Sequence, residues 1–188
     1  MNALYLLFYI SMVAWFLSEI YYKQKFKSES KDQKKDKSTL NILWVVIIPS
    51  VFTAVTISNL TNFHIRNQYW ILYLGEFLIV IGVVFRWMII KSLGKFFTVD
   101  VSIRENHQIK KEGFYKLVRH PSYSFALLTF LGLGLFLNNW FSLFIAFVPV
   151  FLAFSYRIKV EEQVLIQQFG NEYLEYKRKT KKLIPFIY

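Results

Sequence analysis

Residues 121–156 read PSYSFALLTFLGLGLFLNNWFSLFIAFVPVFLAFSY, and their reading decides the fold. Two apolar runs, Pro121 to Leu137 and Phe141 to Tyr156, are parted only by the turn Asn138-Asn139-Trp140. A link that short makes two helices run antiparallel, side by side. A helix crossing a hydrocarbon core of ~30 Å needs roughly 20 apolar residues. Three upstream runs meet that measure: Ala3 to Tyr22, Leu40 to Ser58 and Tyr69 to Ile90. The first does not read as a cleaved signal peptide, because nothing basic precedes it and no A-x-A site follows. Pro49 predicts a kink in the second. The expected fold is all-α, an integral membrane helical bundle of about five transmembrane helices with a cytoplasmic C-terminal helix.

Composition agrees. Of 188 residues, 55% are hydrophobic and 20% aromatic, and the mean hydropathy is +0.33. A 22.5 kDa globule leaves much of its surface wet and cannot hide that much apolar area. A disordered chain, a coiled coil and a disulfide scaffold are excluded. Without cysteine there is no thiolate nucleophile or thiolate metal site, and three histidines form no ligand cluster.

Twenty-three Lys and Arg against twelve Asp and Glu give a net charge of +11. On a soluble chain this would suggest nucleic acid. Here the basic residues lie in blocks between apolar runs, so membrane lipids with anionic headgroups are the expected partners, not nucleic acid. With five spans, the loop 23–39, the segment 91–120 and the C-terminal tail share one side. Only Arg66 and Arg86, of the 23 basic residues, fall elsewhere. The positive-inside rule then predicts a multi-pass cell-membrane protein with its N-terminus outside and this face in the cytoplasm.

Three segments on that face carry chemistry. The first runs from His107 to Tyr115. The second is Arg119-His120-Pro121-Ser122-Tyr123. Proline favours the first helical turn and disfavours helix at the preceding residue, so a helix is predicted to begin at Pro121 with His120 outside it. Its free N–H groups and dipole favour an anion, with Arg119 and His120 as added donors. A capped helix at a basic membrane border explains the same residues without a ligand. The third segment is Arg157 to Glu162. Arg157 and Glu161, four apart, share a helix face. As an exposed pair they would add only ~0.3–0.5 kcal/mol. At the point where a span leaves the membrane, they can instead hold an anionic and a cationic group side by side.

Glu76 and Arg86 fall inside the third span, where ionisable groups are costly and default to function. Ten residues apart, they are expected to contact other helices rather than each other. Glu19 is expected to snorkel, His64 to be solvated, and Gly132 and Gly134 to allow close helix packing.

The ordered set of motifs resembles the isoprenylcysteine carboxyl methyltransferase family, especially its short prokaryotic members. It comprises His107 with Gly113-Phe114-Tyr115, the Arg119–Tyr123 segment, Arg157 with Glu161-Glu162, Phe169-Gly170-Asn171-Glu172-Tyr173, and Leu183-Ile184-Pro185. The resemblance covers roughly Arg86 to Tyr188 and implies one domain over 1–188. Within it, 1–58 is an N-terminal two-helix hairpin and 69–188 the catalytic core. It implies a membrane-embedded O-methyltransferase that uses S-adenosylmethionine, yields S-adenosylhomocysteine and needs no Rossmann domain. It assigns the cofactor to His107, Gln108, Ile109, Lys110, Tyr115, His120, Pro121, Ser122, Tyr123 and Glu161, although Lys110 replaces a usually apolar residue. Arg157 and Glu161 become the catalytic pair. Arg157 and Glu162 become the substrate-binding residues, with His120 or Glu162 as base for a phenolic or enolic acceptor. The acceptor is expected to be a lipophilic carboxylate or acidic hydroxyl. A phospholipid amine methyltransferase, a nicotinamide-dependent sterol-reductase-like enzyme and a non-catalytic lipid-binding protein are the alternatives. Oligomeric state is not legible.

Overall fold

The computed structural model describes residues 2–26, 33–34, 38–65, 69–99, 102–103 and 108–188. Its helices are α1 (Asn2–Lys25), α2 (Thr39–Leu60), α3 (Trp70–Leu93), α4 (Pro121–Phe136), α5 (Trp140–Phe169) and α6 (Asn171–Lys179). A short antiparallel pair, β1 (Gln33–Lys34) with β2 (Ser102–Ile103), ties the connection after α1 to the one after α3. Single 3-10 turns occupy Gly94–Phe96 and Gly113–Lys116.

Four helices, α1, α2, α3 and α5, are long and apolar enough to cross a membrane. The fifth expected span, α4, has 16 residues, or ~24 Å at 1.5 Å per residue. Its two ends nevertheless coincide with the ends of the apolar part of α5. At one end the α4–α5 turn meets the α2–α3 turn: Ile65 N–H donates to Asn138 O (3.3 Å) and Trp140 N–H to Phe63 O (3.1 Å). Asn139 joins them, its Nδ2 donating to Thr61 Oγ1 (2.8 Å) while its Oδ1 accepts from Ser142 N (3.1 Å). That second contact caps α5, as a residue with a short amide side chain does at a helix start. At the other end α4 begins beside Arg157. α2 runs unbroken through Pro49, and α5 through Pro149.

The most extensive packing is between α3 and α4, between α2 and α5, and within the α4–α5 hairpin. α1 leans on α3. The two N-terminal helices therefore make their main contacts with the core rather than with each other. Glycine explains the closeness of α3 and α4. A Cβ on Gly132 would lie 2.6 Å from Gly75 O and 2.9 Å from Ile79 N, and one on Gly75 would lie 2.4 Å from Phe136 N. Such small-residue contacts let backbones approach where lipid supplies no hydrophobic drive. Gly132→Ala forces the two backbones apart and is predicted to cost about 1–3 kcal/mol, read as a lower unfolding midpoint in detergent; an unchanged midpoint would contradict this packing.

Both intramembrane charges find partners on other helices. Ser11 Oγ donates to Glu76 Oε1 at 2.7 Å. Arg86 grips Glu19 with Nε (2.8 Å) and Nη2 (3.2 Å), and Nη1 donates to Ser122 O (2.9 Å). Glu19 thus does not snorkel: its side chain is 15% exposed and paired. A buried guanidinium of low hydration recruits the nearest carboxylate.

Candidate active site

The site is built where α4 begins and α5 leaves the apolar layer. Pro121 is the first residue of α4, with His120 just outside it. A C-terminal strap fixes this entry. Arg119 N–H donates to Lys181 O (2.8 Å), His120 N–H to Lys182 O (3.1 Å), and Ser124 Oγ to Leu183 O (2.6 Å). α5 continues as one helix beyond Tyr156, which carries Arg157, Glu161 and Glu162 up past the start of α4. Gly170, with φ +54, then turns the chain into α6, a positive φ that favours glycine.

Between these elements lies a cavity of about 860 Å³. Gln108, Ile109, Lys110, Tyr115, His120, Ser122, Tyr123, Arg157 and Glu161 all line it, so nine residues singled out from sequence meet in one place. His107 lies outside the described residues. Pro121 is buried in the helix start and does not line the cavity. Glu162 does not line it either. Its Oε1 accepts from Arg119 Nε (2.8 Å) and its Oε2 sits 2.7 Å from Lys177 Nζ. Two cations held so close occupy the carboxylate from the α6 side, so the expected substrate contact is replaced by a structural one. Arg119 also donates to the carbonyls of Lys177 and Thr180, and so belongs to the same brace.

A relay crosses the cavity wall. Arg157 Nε donates to Tyr123 Oη (3.0 Å), and Tyr123 Oη donates to Glu161 Oε2 (2.8 Å). Arg157 is only 3% exposed. Its Nη1 donates to Thr39 Oγ1 (2.9 Å) and its Nη2 to Val99 O, so α2 and the loop after α3 help to aim it. The His120 ring stacks on Tyr123, centroids 5.6 Å apart. Its Nδ1 lies 3.8 Å from Glu161 Oε2. Its Nε2 lies 3.4 Å from Glu162 Oε1 but is not aligned on it as a hydrogen bond.

Several polar atoms at the cavity are buried yet without a hydrogen-bond partner: Ser102 Oγ, His120 Nε2 and Tyr173 Oη. Buried polar groups are normally paired, so the residues that line this cavity leave hydrogen-bonding capacity unused. Burial, with Glu161 adding to it, holds the Tyr115 phenol well above its ordinary value. Burial pushes Tyr176 up to about 12; its hydroxyl donates to Tyr115 O (2.6 Å). Burial and the nearby Glu162 and Glu161 raise Tyr173 as well. These phenols keep their protons, and of the three Tyr176 donates its own within the protein. Tyr173, Tyr176, Ser102 and the aromatic edge Phe96-Phe97 were not assigned from sequence. The periodic stripe Leu165, Phe169, Tyr173 hinted at the first, while contacts such as Arg157–Thr39, 118 residues apart, leave no local signal.

A second cavity of about 660 Å³ adjoins the first, and Phe97, Thr98, Tyr123 and Arg157 line both. Its remaining walls come from α1, α2, the apolar parts of α4 and α5, Arg86 of α3 and Val99.

Residues 70–172 match the model of the phospholipid methyltransferase family. The chain is 35% identical over 125 residues to protein-S-isoprenylcysteine O-methyltransferase B of Arabidopsis thaliana, across 65% of this chain and 64% of that protein. It is 38% identical over 116 residues to the protein-S-isoprenylcysteine O-methyltransferase of Saccharomyces cerevisiae, across 61% of this chain and 48% of that one. A solved structure of a eukaryotic intramembrane Ras methyltransferase, an isoprenylcysteine carboxyl methyltransferase, shares the fold, with a TM-score of 0.59, 24% identity, and coverage of 79% of this chain and 51% of that one. The match thus spans just under two thirds of the Arabidopsis relative's length and about half of the yeast one's. With more than half its residues inside the family match, the chain belongs to the phospholipid methyltransferase family.

Proposed function

We propose that this protein is a membrane methyltransferase that uses S-adenosylmethionine to methylate the carboxylate or acidic hydroxyl of a lipophilic acceptor. One observation carries the reading: Arg157 and Tyr123 stand at the seam of a polar cavity and a largely apolar one, with Glu161 tethered to the same tyrosine. In this reading the polar cavity holds the cofactor. Its orphaned donors and acceptors, its aromatic walls and the start of α4 suit a nucleoside and an amino-acid carboxylate. When bound, S-adenosylmethionine would supply a methyl group on a cationic sulfur, which a nucleophilic oxygen would take in line as the carbon–sulfur bond breaks and the neutral thioether S-adenosylhomocysteine leaves.

The protein's own share is alignment and field. Glu161 presents a negative charge where the cation sits. Arg157 places a fixed, buried positive charge where an acceptor oxyanion would lie, and Tyr123 holds the two charged groups in register. A carboxylate acceptor brings its own nucleophilic electron pair, so no general base is needed. An acidic hydroxyl would give up its proton more readily beside Arg157, with His120 as the nearby imidazole. An amine acceptor on its way to a cation gains nothing from Arg157, which favours oxygen over nitrogen.

The related proteins named above are isoprenylcysteine O-methyltransferases. We assign this chain the same chemical class of acceptor, an anionic oxygen attached to a hydrocarbon tail. The basic face, and with it the site, lies in the cytoplasm of a cell membrane with the N-terminus outside. Lipids extracted from cells with and without the gene, grown on methyl-labelled methionine, test this. Gene-dependent label on an oxygen of a lipophilic species, released by base as methanol from an ester or retained in an ether, supports it. Identical profiles contradict it.

A further inference from the structure

The second cavity shows how long the acceptor's tail can be. We propose that Trp15 and Phe130 form a length stop, so that the enzyme selects acceptors with tails of about ten carbons. The inference rests on the methyltransferase reading above and adds a size class to it.

The cavity begins at the reaction level, where Tyr123 and Arg157 line it, and ends among Trp15, Ile47 and Phe130. Trp15 and Phe130 meet edge to face, centroids 5.6 Å apart with an interplanar angle of 85°. They are 7% and 2% exposed, and both belong to the main apolar cluster with Ile47. Two interlocked aromatic rings backed by a packed core make a closed floor.

Helix rise gives the depth. From Tyr123 to Phe130 on α4 is seven residues, or ~10 Å; from Leu40 to Ile47 on α2 is again ~10 Å; from Lys23 to Trp15 on α1 is ~12 Å. An extended chain advances ~1.2 Å per backbone bond. The space therefore takes about eight to ten carbons along its depth. The upper wall is not hydrocarbon. The Glu19–Arg86 pair and Tyr22 line it, with Lys23 beside them, so the tail runs down the wall of Leu43, Ala126 and Phe154 instead. The way in is lateral. The α1 and α2 backbones make few contacts with each other compared with those they make to α3 and α5, leaving a seam to the bilayer bordered by Lys23 and Trp44.

The probes are S-alkyl-N-acetylcysteines from hexyl to hexadecyl, carrying a terminal diazirine for photolabelling and used with the purified full chain. Labelling needs no turnover, so it separates failure of this proposal from failure of the reaction assignment. The decyl probe is expected to label Trp15, Ile47 or Phe130 and to bind at least tenfold better than the hexadecyl one. Trp15→Ala should shift the optimum to longer tails by about tenfold, the equivalent of two buried methylenes. Ile47→Trp, which fills the floor from α2, should shift it the other way. An unchanged length profile in both variants overturns the length stop. So does label confined to the lipid-facing side of α3, or no saturable label at all. If labelling succeeds as stated but methyl-labelled S-adenosylmethionine is never consumed with any probe, the tail site stands and the reaction assignment falls.

Discussion

Replacing Arg157 with alanine is expected to lower the rate of methyl transfer by about a thousandfold while leaving S-adenosylhomocysteine affinity within about threefold. Removing one partner of a buried, hydrogen-bonded charge pair costs roughly 2–5 kcal/mol, and in the proposed reaction the acceptor oxygen is the other partner. Each 1.36 kcal/mol is about tenfold in rate. Arg157→Lys should restore only a small part. A single ammonium keeps the charge but cannot reach Tyr123, Thr39 and Val99 O together, as the guanidinium does. Initial rates and calorimetric titration on the same preparations check both halves. Near wild-type turnover in Arg157→Ala would remove this residue from the reaction.

The complementary substitution acts on the other ligand. Glu161→Gln keeps an acceptor for the Tyr123 hydroxyl and removes the negative charge. Hydrogen bonds to charged groups contribute about 1.5–3 kcal/mol, so cofactor affinity should fall by about 10- to 100-fold. The acceptor's KM should move little. If both affinities fell equally, the role of Glu161 would be to hold the shape of the cavity through Tyr123. If neither moved, the carboxylate would lie outside the cofactor's reach.

These two residues show what a sequence makes legible. Arg157, Glu161 and Glu162 sit on one helix, and helical spacing alone sets them together at the end of an apolar run. The Pro121 helix start is equally local, since proline dictates backbone in its own neighbourhood. The close packing read at Gly132 also appears, against Gly75 and Ile79. What sequence could not divide was the work of the two neighbouring glutamates. Which of them faces the cavity depends on the cations that approach from elsewhere. Arg119 and Lys177 lie 43 and 15 positions from Glu162, and they claim it from the α6 side. Glu19 failed for a related reason. Its place near a helix end suggested an exposed group, and its partner Arg86 is 67 residues away. Nor did the first two helices show any motif, although they supply nearly half of the residues that line the apolar cavity. Only the way α1 and α2 lean on different partners creates that space.

α4 teaches a further point about length. Its 16 residues fall short of a nominal span, yet its ends match those of the apolar part of α5. The start of α4 and the exit of α5 therefore lie at one level, which sets His120 and Tyr123 beside Arg157 and Glu161.

The central claim is that a sulfonium donor is held between the start of α4 and the stretch of α5 and α6 beyond Tyr156. Ultraviolet cross-linking of methyl-labelled S-adenosylmethionine to the purified protein, followed by peptide mapping, tests it most directly. The account predicts label that excess S-adenosylhomocysteine removes, located in peptides covering 108–123 and 161–176. Label that cannot be competed away, or that maps to α1, α2 or the outer turns, would contradict it.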